Sequence, residues 1–197
     1  MKASRGFTIM EMLIVTIIIG IVTGIMLSGY KTYGAKLNVR RSANEVALAI
    51  REAQANALAV KGYDHDNNSG TPLLFTSWGV YFRKSVSTTQ FNIFVDSDGD
   101  KSYDSGESVK TVSIMNGVKI LNLAKGLETS EPDSSSIDRL DIVYQRPNPD
   151  TTLKADGGTC SGTVVSGTCP DVEIILQGTD GTQRTVVVWS TGQISVE

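Results

Sequence analysis

The sequence predicts an α+β protein in which one long N-terminal helix packs against a mostly antiparallel β-sheet domain. Three observations predict this class: an apolar run near the N-terminus, an apolar stripe with helical spacing after it, and a change to short strand-like segments beyond residue 62. A chain of 197 residues can build one modest core. We therefore expect one globular domain carried on one long helix.

The apolar run from Phe7 to Leu27 has about the length that crosses a bilayer core as a helix. Lys2 and Arg5 precede the run, which favours a cytoplasmic N-terminus and translocation of the rest of the chain. A secretory signal peptide has the same order of charged and apolar residues, and a plain signal anchor is a second alternative. The length of the run and the carboxylate of Glu11 inside it oppose both alternatives.

Glu11 is the one ionisable side chain within this run. A carboxylate at mid-membrane depth costs about 2.5–3.5 kcal/mol on insertion scales, and a segment that only anchors the chain has no need of one. We therefore expect Glu11 to have a partner. Gly20 and Gly24 have the Gly-x-x-x-Gly spacing that permits close helix packing in lipid, although glycine is also common in membrane helices.

The residues Lys2-Ala3-Ser4-Arg5-Gly6, followed by Phe7-Thr8-Ile9-Met10-Glu11, resemble the leader and cleavage site of type IV prepilins and pseudopilins. The resemblance implies that a prepilin peptidase cuts between Gly6 and Phe7 on the cytoplasmic side and N-methylates Phe7. It also makes Glu11 an assembly residue. Its carboxylate would pair with the Phe7 amine of a neighbouring subunit, which replaces two unpaired buried charges with one pair.

The second half of the predicted helix, residues 29–61, is amphipathic. Its apolar residues recur at alternating spacings of four and three, as on one helix face; they are Val39, Ala43, Val46, Ile50, Ala53, Ala57 and Val60. Ser28, Gly29 and Gly34 predict a weak joint that the helix crosses between its two halves. Gly62 is the predicted helix stop.

Beyond Gly62 the sequence predicts short strands rich in β-branched and aromatic residues. They are Leu73–Phe82, Gln90–Val95, Ser108–Ile114, Val118–Leu123, Arg139–Tyr144, Val172–Leu176, Arg184–Trp189 and Gln193–Val196. We expect one antiparallel sheet, or two small sheets, on the exposed half of the helix, with the last two strands forming a hairpin. This ending and the Arg/Ala-rich second helix half resemble the minor pseudopilin H and FimT-like group of the family.

Five carboxylates occur within one twelve-residue stretch, and they are Asp96, Asp98, Asp100, Asp104 and Glu107. Their relative positions 1, 3, 5, 9 and 12 are ligand positions of an EF-hand-type calcium loop, so a structural calcium ion is one interpretation. Lys101 stands at position 6, where such a loop has glycine, and strands replace the flanking helices. An Asp-rich turn without metal is the alternative, because Asp and Gly favour turns by themselves.

Cys160 and Cys169 enclose a loop rich in Gly, Ser and Thr. In a translocated domain the simplest interpretation is a disulfide, which stabilises by roughly 2.5–3 kcal/mol in the loop-entropy model. Two free thiols are the alternative. Zinc is not expected, because the chain has two cysteines and one histidine.

The sequence contains no signal of an enzyme. His65 stands alone in a polar segment, and the Gly-x-Ser-x-Gly, Walker and Gly-x-Gly-x-x-Gly motifs are absent. With 18 basic and 21 acidic residues the net charge is −3, and residues 190–197 carry no positive charge. We therefore expect no direct binding to nucleic acid.

The resemblance implies a structural role, that of a minor pseudopilin in a type II secretion pseudopilus that supports protein export. The alternative is a minor type IV pilin that acts in pilus assembly or DNA uptake. The implied partners are prepilin peptidase, other pilins or pseudopilins in a filament, an inner-membrane assembly platform, and membrane lipid before assembly.

Four segments follow from these interpretations. Residues 1–6 form a cytoplasmic leader, 7–28 a transmembrane and filament-core helix, 29–61 the amphipathic helix half, and 62–197 an extracytoplasmic β-rich domain. The expected location is the bacterial inner membrane, crossed once, with the C-terminal domain in the periplasm.

Overall fold

The computed structural model describes residues 6–59, 61–63, 77–126, 136–145, 151–156, 158–160 and 170–197, with the backbone alone given for residues 28–32, 126 and 158–160. It confirms the α+β class. One helix, α1, leads into two antiparallel sheets. Residues 73–76 of the first predicted strand and Val60 of the apolar stripe lie outside the described ranges.

Helix α1 runs without a break from Ile9 to Leu58. At 1.5 Å per residue, its 50 residues measure about 75 Å. The backbone stays helical through Ser28, Gly29 and Gly34, where the sequence predicts a weak joint. The apolar and amphipathic halves are therefore one continuous helix in this structure.

The helix ends earlier than the stop predicted at Gly62, and its last residue is Leu58 rather than Lys61. The N–H of the capping residue Ala59 donates to the carbonyl of Ala55 at 2.9 Å, and the N–H of Lys61 donates to that of Asn56 at 3.1 Å. The second bond is the 6→1 closure typical of a Schellman motif. Carbonyls of the last turn are therefore already satisfied before the chain reaches Gly62.

The strands are β1 (Ser77–Arg83), β2 (Gln90–Asp96), β3 (Ser108–Ser113), β4 (Lys119–Gly126), β5 (Ser136–Ile137), β6 (Arg139–Tyr144), β7 (Thr151–Ala155), β8 (Gly158–Cys160), β9 (Asp171–Gln177), β10 (Gln183–Trp189) and β11 (Ile194–Val196). Sheet I has the order β3-β2-β1-β6-β7-β8, and sheet II has the order β11-β10-β9-β4-β5. All these pairings are antiparallel. The predicted closing hairpin is confirmed as β10–β11.

One core lies between α1 and both sheets. The described members of the predicted stripe, from Val39 to Ala57, are buried, and they belong to the same apolar cluster as Phe82 and Leu140 of sheet I and Val186 of sheet II. Burial of apolar surface stabilises the folded state by roughly 25 cal/mol per Å² removed from water. The amphipathic half of α1 is therefore the element around which both sheets fold.

One end of the domain lies beside the start of the buried stripe. Gly178, in the β9–β10 turn, packs directly against Val39 and leaves no room for a side chain. Gly117, in the β3–β4 turn, lies against Thr179 in the same way. We call this region the near end; it comprises residues 84–89, 114–119 and 178–182.

Hydrogen bonds connect the β1–β2 loop to the other turns of the near end. The N–H of Ile120 donates to the carbonyl of Thr88 at 2.7 Å, and the N–H of Ile114 donates to that of Thr89 at 2.8 Å. The opposite, far end lies beside the C-terminus of α1, where the indole N–H of Trp78 donates to the carbonyl of Lys61 at 3.0 Å. The two ends therefore lie at different heights along one helix.

Candidate functional site

The segment before α1 is extended and open. Gly6, Phe7 and Thr8 are non-helical, and Thr8 has backbone angles of φ −83° and ψ 152°. Phe7 is 79% exposed. The predicted scissile bond between Gly6 and Phe7 therefore lies in accessible chain, which is where proteolysis acts most readily.

Thr8 and Glu11 cap the helix reciprocally. The N–H of Thr8 donates to Oε2 of Glu11 at 3.4 Å, and the N–H of Glu11 donates to Oγ1 of Thr8 at 3.3 Å. This capping box satisfies two N–H groups that the first turn leaves free. The carboxylate also lies at the positive end of the helix dipole. In a single subunit, Glu11 therefore has a partner within its own chain.

The sequence analysis missed Thr8 as part of this arrangement. The signal was present, because Thr8-x-x-Glu11 has the spacing of a capping box directly before an apolar helix. The sequence-based expectation placed the partner of Glu11 in another subunit, whereas the structure also gives it one three positions away in its own chain.

The stretch Ile9–Leu27 of α1 is long and apolar enough to cross a membrane, and no described part of the chain covers it. In the described part of the chain, no side chain or distant backbone lies within 4 Å of where a Cβ of Gly20 or Gly24 would lie. The face with the Gly-x-x-x-Gly spacing is therefore open to a second helix. An apolar surface of this extent needs lipid or other helices to remove it from water.

The five predicted metal-ligating carboxylates come together in the β2–β3 loop. One carboxylate oxygen each from Asp96, Asp98 and Glu107 lies within 4.8 Å of the others, and Asp98, Asp100 and Asp104 form a second such group. Asp98 belongs to both groups. Oxygens at this spacing can surround one hard cation. The fold therefore gathers the residues that the sequence analysis selected.

Hydrogen bonds within the loop also fit the alternative of a metal-free turn. The buried carboxylate of Asp96 accepts from the N–H groups of Gly99 at 2.8 Å and Lys101 at 3.1 Å. The buried carboxylate of Glu107 accepts from the N–H of Ser97 at 2.8 Å. Asp side chains order turns through such bonds without an ion. Calcium binding therefore stays a prediction.

Lys101 adopts a left-handed backbone conformation with φ 63°. It stands at position 6 of the calcium-loop pattern, where glycine normally provides the sharp turn. The departure from the pattern is therefore one of residue type and not of backbone shape. A left-handed conformation costs a residue with a Cβ about 1–2 kcal/mol, so the loop stores strain at this position.

Tyr103 holds the acidic loop against the outer face of sheet I. Its ring stacks on Tyr81 with centroids 4.3 Å apart and meets Phe94 edge-on at 5.5 Å. The N–H of Tyr103 donates to Oδ1 of Asp141 at 3.1 Å, and Nη2 of Arg139 donates to the Tyr103 carbonyl at 2.9 Å. The loop is therefore fixed by aromatic contacts and by a charged pair.

Asp141 is fully buried, and its Oδ2 lies 2.8 Å from Nε of Arg139. Burial raises the pKa of Asp141 above its ordinary value, and the guanidinium of Arg139 opposes that shift. Burial likewise raises the pKa of Asp96, against the hydrogen bonds from Gly99 and Lys101. Both carboxylates are therefore harder to ionise than an exposed Asp.

The predicted disulfide and the lone histidine fall on residues whose side chains the structure does not describe. Cys160 ends β8, where the backbone alone is given, and Cys169 and His65 lie outside the described ranges. The Cys160–Cys169 bond therefore stays a prediction.

Comparison with known proteins bears first on the N-terminal segment. Residues 1–27 match the family described as "Prokaryotic N-terminal methylation motif". Two curated proteins of Pseudomonas aeruginosa, each described as "Fimbrial protein", are 41% identical to this chain over 58 residues. The alignment covers 29% of this chain and 37% of each relative, so the chain spans little more than a third of the relatives that it matches.

Among solved structures, the minor pseudopilin EpsH from the Type 2 Secretion System of Vibrio cholerae aligns with 81% of this chain. The alignment covers 96% of that protein, with 8% sequence identity and a TM-score of 0.43. A likeness at this level carries no argument about function.

Proposed function

Because its N-terminal segment is that of the type IV pilin and pseudopilin family, we propose that this chain is a minor pseudopilin, a structural subunit of a type II secretion pseudopilus that supports protein export. The observation that carries the proposal is the carboxylate of Glu11. It lies in the first turn of an uncovered apolar helix, directly after the open Gly6–Phe7 bond. An anchor alone does not require this charge.

In this proposal, prepilin peptidase removes residues 1–6 and methylates the new N-terminus at Phe7. Cleavage creates a cationic amine four residues before Glu11. The Glu11 carboxylate then exchanges its bond to the neutral N–H of Thr8 for the Phe7 amine of a neighbouring subunit. Hydrogen bonds between two charged groups are stronger than those with a neutral donor, and the pair removes two isolated charges from the apolar surroundings.

This pairing also sets the geometry of the filament. It joins the first residue of one mature chain to the fifth of the next, so it fixes the axial stagger between two parallel helices. The open face at Gly20 and Gly24 allows these helices to approach closely. Other pilins or pseudopilins and an inner-membrane assembly platform are the partners that such a filament requires.

The charges before the apolar segment support a location for the domain. Lys2 and Arg5 favour retention of the N-terminus in the cytoplasm. The domain after α1 then lies in the periplasm, on a single membrane-spanning helix. In that oxidising compartment we propose that Cys160 and Cys169 form a disulfide and that the acidic loop binds a structural calcium ion.

A second candidate function is that of a minor type IV pilin acting in pilus assembly or DNA uptake. The 41% identity to fimbrial proteins over 58 residues favours it. Direct contact with DNA is not part of either proposal. The C-terminal strand β11 and the turn before it, within residues 190–197, carry no positive charge to neutralise phosphates.

Mass spectrometry of sheared surface fibres and of envelope fractions, at native expression, tests the proposal. We expect the chain that starts at Phe7 in the envelope and not in sheared fibres. The processed chain in sheared fibres would support the pilin alternative instead. A chain that retains residues 1–6 in all fractions would contradict both functions, because neither filament incorporates an unprocessed subunit.

A further inference from the structure

The near end exposes large apolar side chains. Outside α1, Val86 and Met115 are the exposed large apolar residues in the described part of the chain, at 72% and 65%. Val86 lies in the β1–β2 loop and Met115 in the β3–β4 turn, and the bond between Ile120 and Thr88 connects these segments. Among the described residues of the sheets and their loops, the exposed large apolar side chains are therefore gathered at one end.

The turn geometry fixes Met115 in this position. Asn116 and Gly117 both have positive φ, at 61° and 74°, as the two central residues of a type I′ turn do. The N–H of Val118 closes the turn by donating to the carbonyl of Met115 at 3.2 Å. An Asn-Gly pair suits this turn without strain. Met115 is therefore presented by an ordered backbone.

Two lysines accompany these apolar residues. Lys119 begins β4 directly after the turn, and Lys36 lies on α1 beside the region that contacts Gly178. Both side chains are exposed, and no carboxylate of the described residues lies within ion-pair distance of either. Their charges are therefore available to a partner.

The carboxylates of this region already have donors. Asp138 accepts from the N–H of Ser85 at 2.7 Å, and Asp180 accepts from the N–H of Thr182 at 3.0 Å. The hydrogen bonds from the Thr182 hydroxyl and N–H lower the pKa of Asp180, and the charge of Lys36 adds a weaker effect in the same direction. Asp138 also forms an ion pair with Arg83 at 3.3 Å, whereas Asp180 has no ion pair among the described residues. Three lysines, Lys36, Lys84 and Lys119, therefore outnumber the one carboxylate without an ion pair, so the net charge at the near end is positive.

The near end lies close to the expected membrane surface. The apolar stretch ends at Leu27, and the β9–β10 turn contacts α1 between Ala35 and Val39. Eight helical residues from Leu27 to Ala35 measure about 12 Å, whereas the headgroup layer is about 5–7 Å thick on each side. A lysine side chain can cross the remaining gap.

We propose that the near end is a docking surface for the anionic lipid surface of the same bilayer that holds α1. Val86 and Met115 contact the interfacial region of the bilayer. Lys36 and Lys119 bind lipid headgroups through their ammonium groups. Apolar and basic residues occur together in this way at membrane interfaces. The inference rests on the membrane anchor of the proposed function. Docking would hold the domain in one orientation above the bilayer before assembly.

Photocrosslinking of the full-length chain in nanodiscs tests this surface. The photoreactive residue p-benzoylphenylalanine replaces Met115 or Val86 in turn, and Ile14 as a probe of the anchor. The far-end control is exposed Thr191, in the β10–β11 turn that accepts a hydrogen bond from Gln54 near the C-terminus of α1. Nanodiscs contain one copy of the chain and either anionic or purely zwitterionic lipid. We expect lipid adducts at Met115, Val86 and Ile14 but not at Thr191, and a higher yield at Met115 with anionic lipid.

A charge reversal tests the contribution of the lysine. Lys119→Glu should lower the adduct yield at Met115 in anionic nanodiscs by at least about fivefold, the factor that one lysine contributes at such a surface. Lys125→Glu, the same change in β4 toward the far end, should leave the yield unchanged.

The outcomes separate the docking surface from the anchor. Lipid adducts at Ile14 with none at Met115 and Val86 would overturn the docking surface and leave the anchor in place. The absence of lipid adducts at Ile14 would instead overturn the anchor. In nanodiscs that hold two copies, crosslinks from Met115 to the second chain in place of lipid would assign the near end to subunit contact and overturn the proposal.

Discussion

The carboxylate of Glu11 accepts a hydrogen bond from the backbone N–H of Thr8 across 3.4 Å. The ionisable side chain of the apolar segment therefore has a partner before any second subunit arrives. In the proposed assembly, pairing with the Phe7 amine of a neighbour exchanges one hydrogen bond for another. The free energy gained comes from the charge of the new donor and not from satisfying an empty acceptor.

Glu11→Gln separates the charge from the cap. Glutamine can occupy the last position of a capping box, so the bond to Thr8 should persist while the negative charge is lost. We expect normal leader removal and loss of filament incorporation, as strong as in Glu11→Ala. Immunoblots of processed chain and of assembled filaments measure the two steps. If Glu11→Gln assembles normally and Glu11→Ala does not, the cap matters and the ion pair does not.

Gly6→Ala should block leader removal while leaving the fold unchanged. Within the described ranges, apart from its chain neighbours, no atom lies within 4 Å of a Cβ built at Gly6, so the added methyl group has no clash there. Any effect must arise in the peptidase site. Intact-mass measurement from membranes should show a chain that retains residues 1–6, whereas Ser4→Ala should be processed fully. A mature-sized Gly6→Ala chain would refute the cleavage assignment.

Calcium should raise the melting temperature of the detergent-solubilised chain, and Asp98→Ala should abolish the increase. Asp98 belongs to both groups of carboxylates, so its removal leaves neither group complete. For a domain of this size, each kcal/mol of binding free energy shifts the melting temperature by about 2–4 °C. Asp180→Ala, which removes a carboxylate at the near end, should retain the calcium response. A flat titration of the unsubstituted chain would favour the metal-free turn.

Lys101→Gly should increase the free energy of unfolding by about 1 kcal/mol without calcium, because glycine adopts φ 63° with little strain. Lys101→Ala is the matched control. It removes the same side chain but retains the Cβ, so it should give no gain. Chemical denaturation of both variants measures the difference. An equal gain in both would show that the lysine side chain, rather than its backbone conformation, is unfavourable.

Asp141 should make stability depend on pH in acid. Its pKa is raised by burial above the ordinary 3.8, so the folded chain binds this proton more tightly than the unfolded chain. The resulting stabilisation is fully present below pH 3.8 and is lost as the pH rises through the pKa that Asp141 has in the folded chain. Relative to Asp141→Asn, which cannot titrate, the unsubstituted chain should gain stability on acidification across this window. A pH-independent difference between the two would contradict the prediction.

The buried stripe of α1 was predictable because one face of a helix repeats locally. Val39, Ala43, Val46 and Ile50 show that period in the sequence itself, and all four are buried. The acidic loop was predictable for the same reason, since its carboxylates are close along the chain. Patterns of this kind need no knowledge of distant contacts.

Strand β7 was missed because its sequence conceals the strand pattern. Thr151, Leu153 and Ala155 point inward and are buried, but two of these three residues are small or polar and Lys154 lies between them. The period-2 alternation on which strand prediction depends is therefore weak. Strands β5 and β8 were missed because two or three residues are too few to show a period.

The contact between Tyr103 and Asp141 was beyond prediction because it joins residues 38 positions apart. The alternation of β6 puts Asp141 on the face opposite Leu140 and Ile142, which by itself predicts an exposed carboxylate. Burial arises only when the β2–β3 loop folds over that face. Such a contact depends on the tertiary path of a loop, for which the sequence has no local signal.

The packing of both sheets against α1 determines how the domain responds to force. A force along the helix axis, as in extraction of a subunit from the bilayer, would load the packed stripe between Val39 and Ala57 in shear. Side chains on several helical turns must then slip together, whereas a force that peels one edge strand breaks its bonds in succession. The domain should therefore move with the helix as one rigid unit, and a force on the helix should reach the domain without unfolding the sheets.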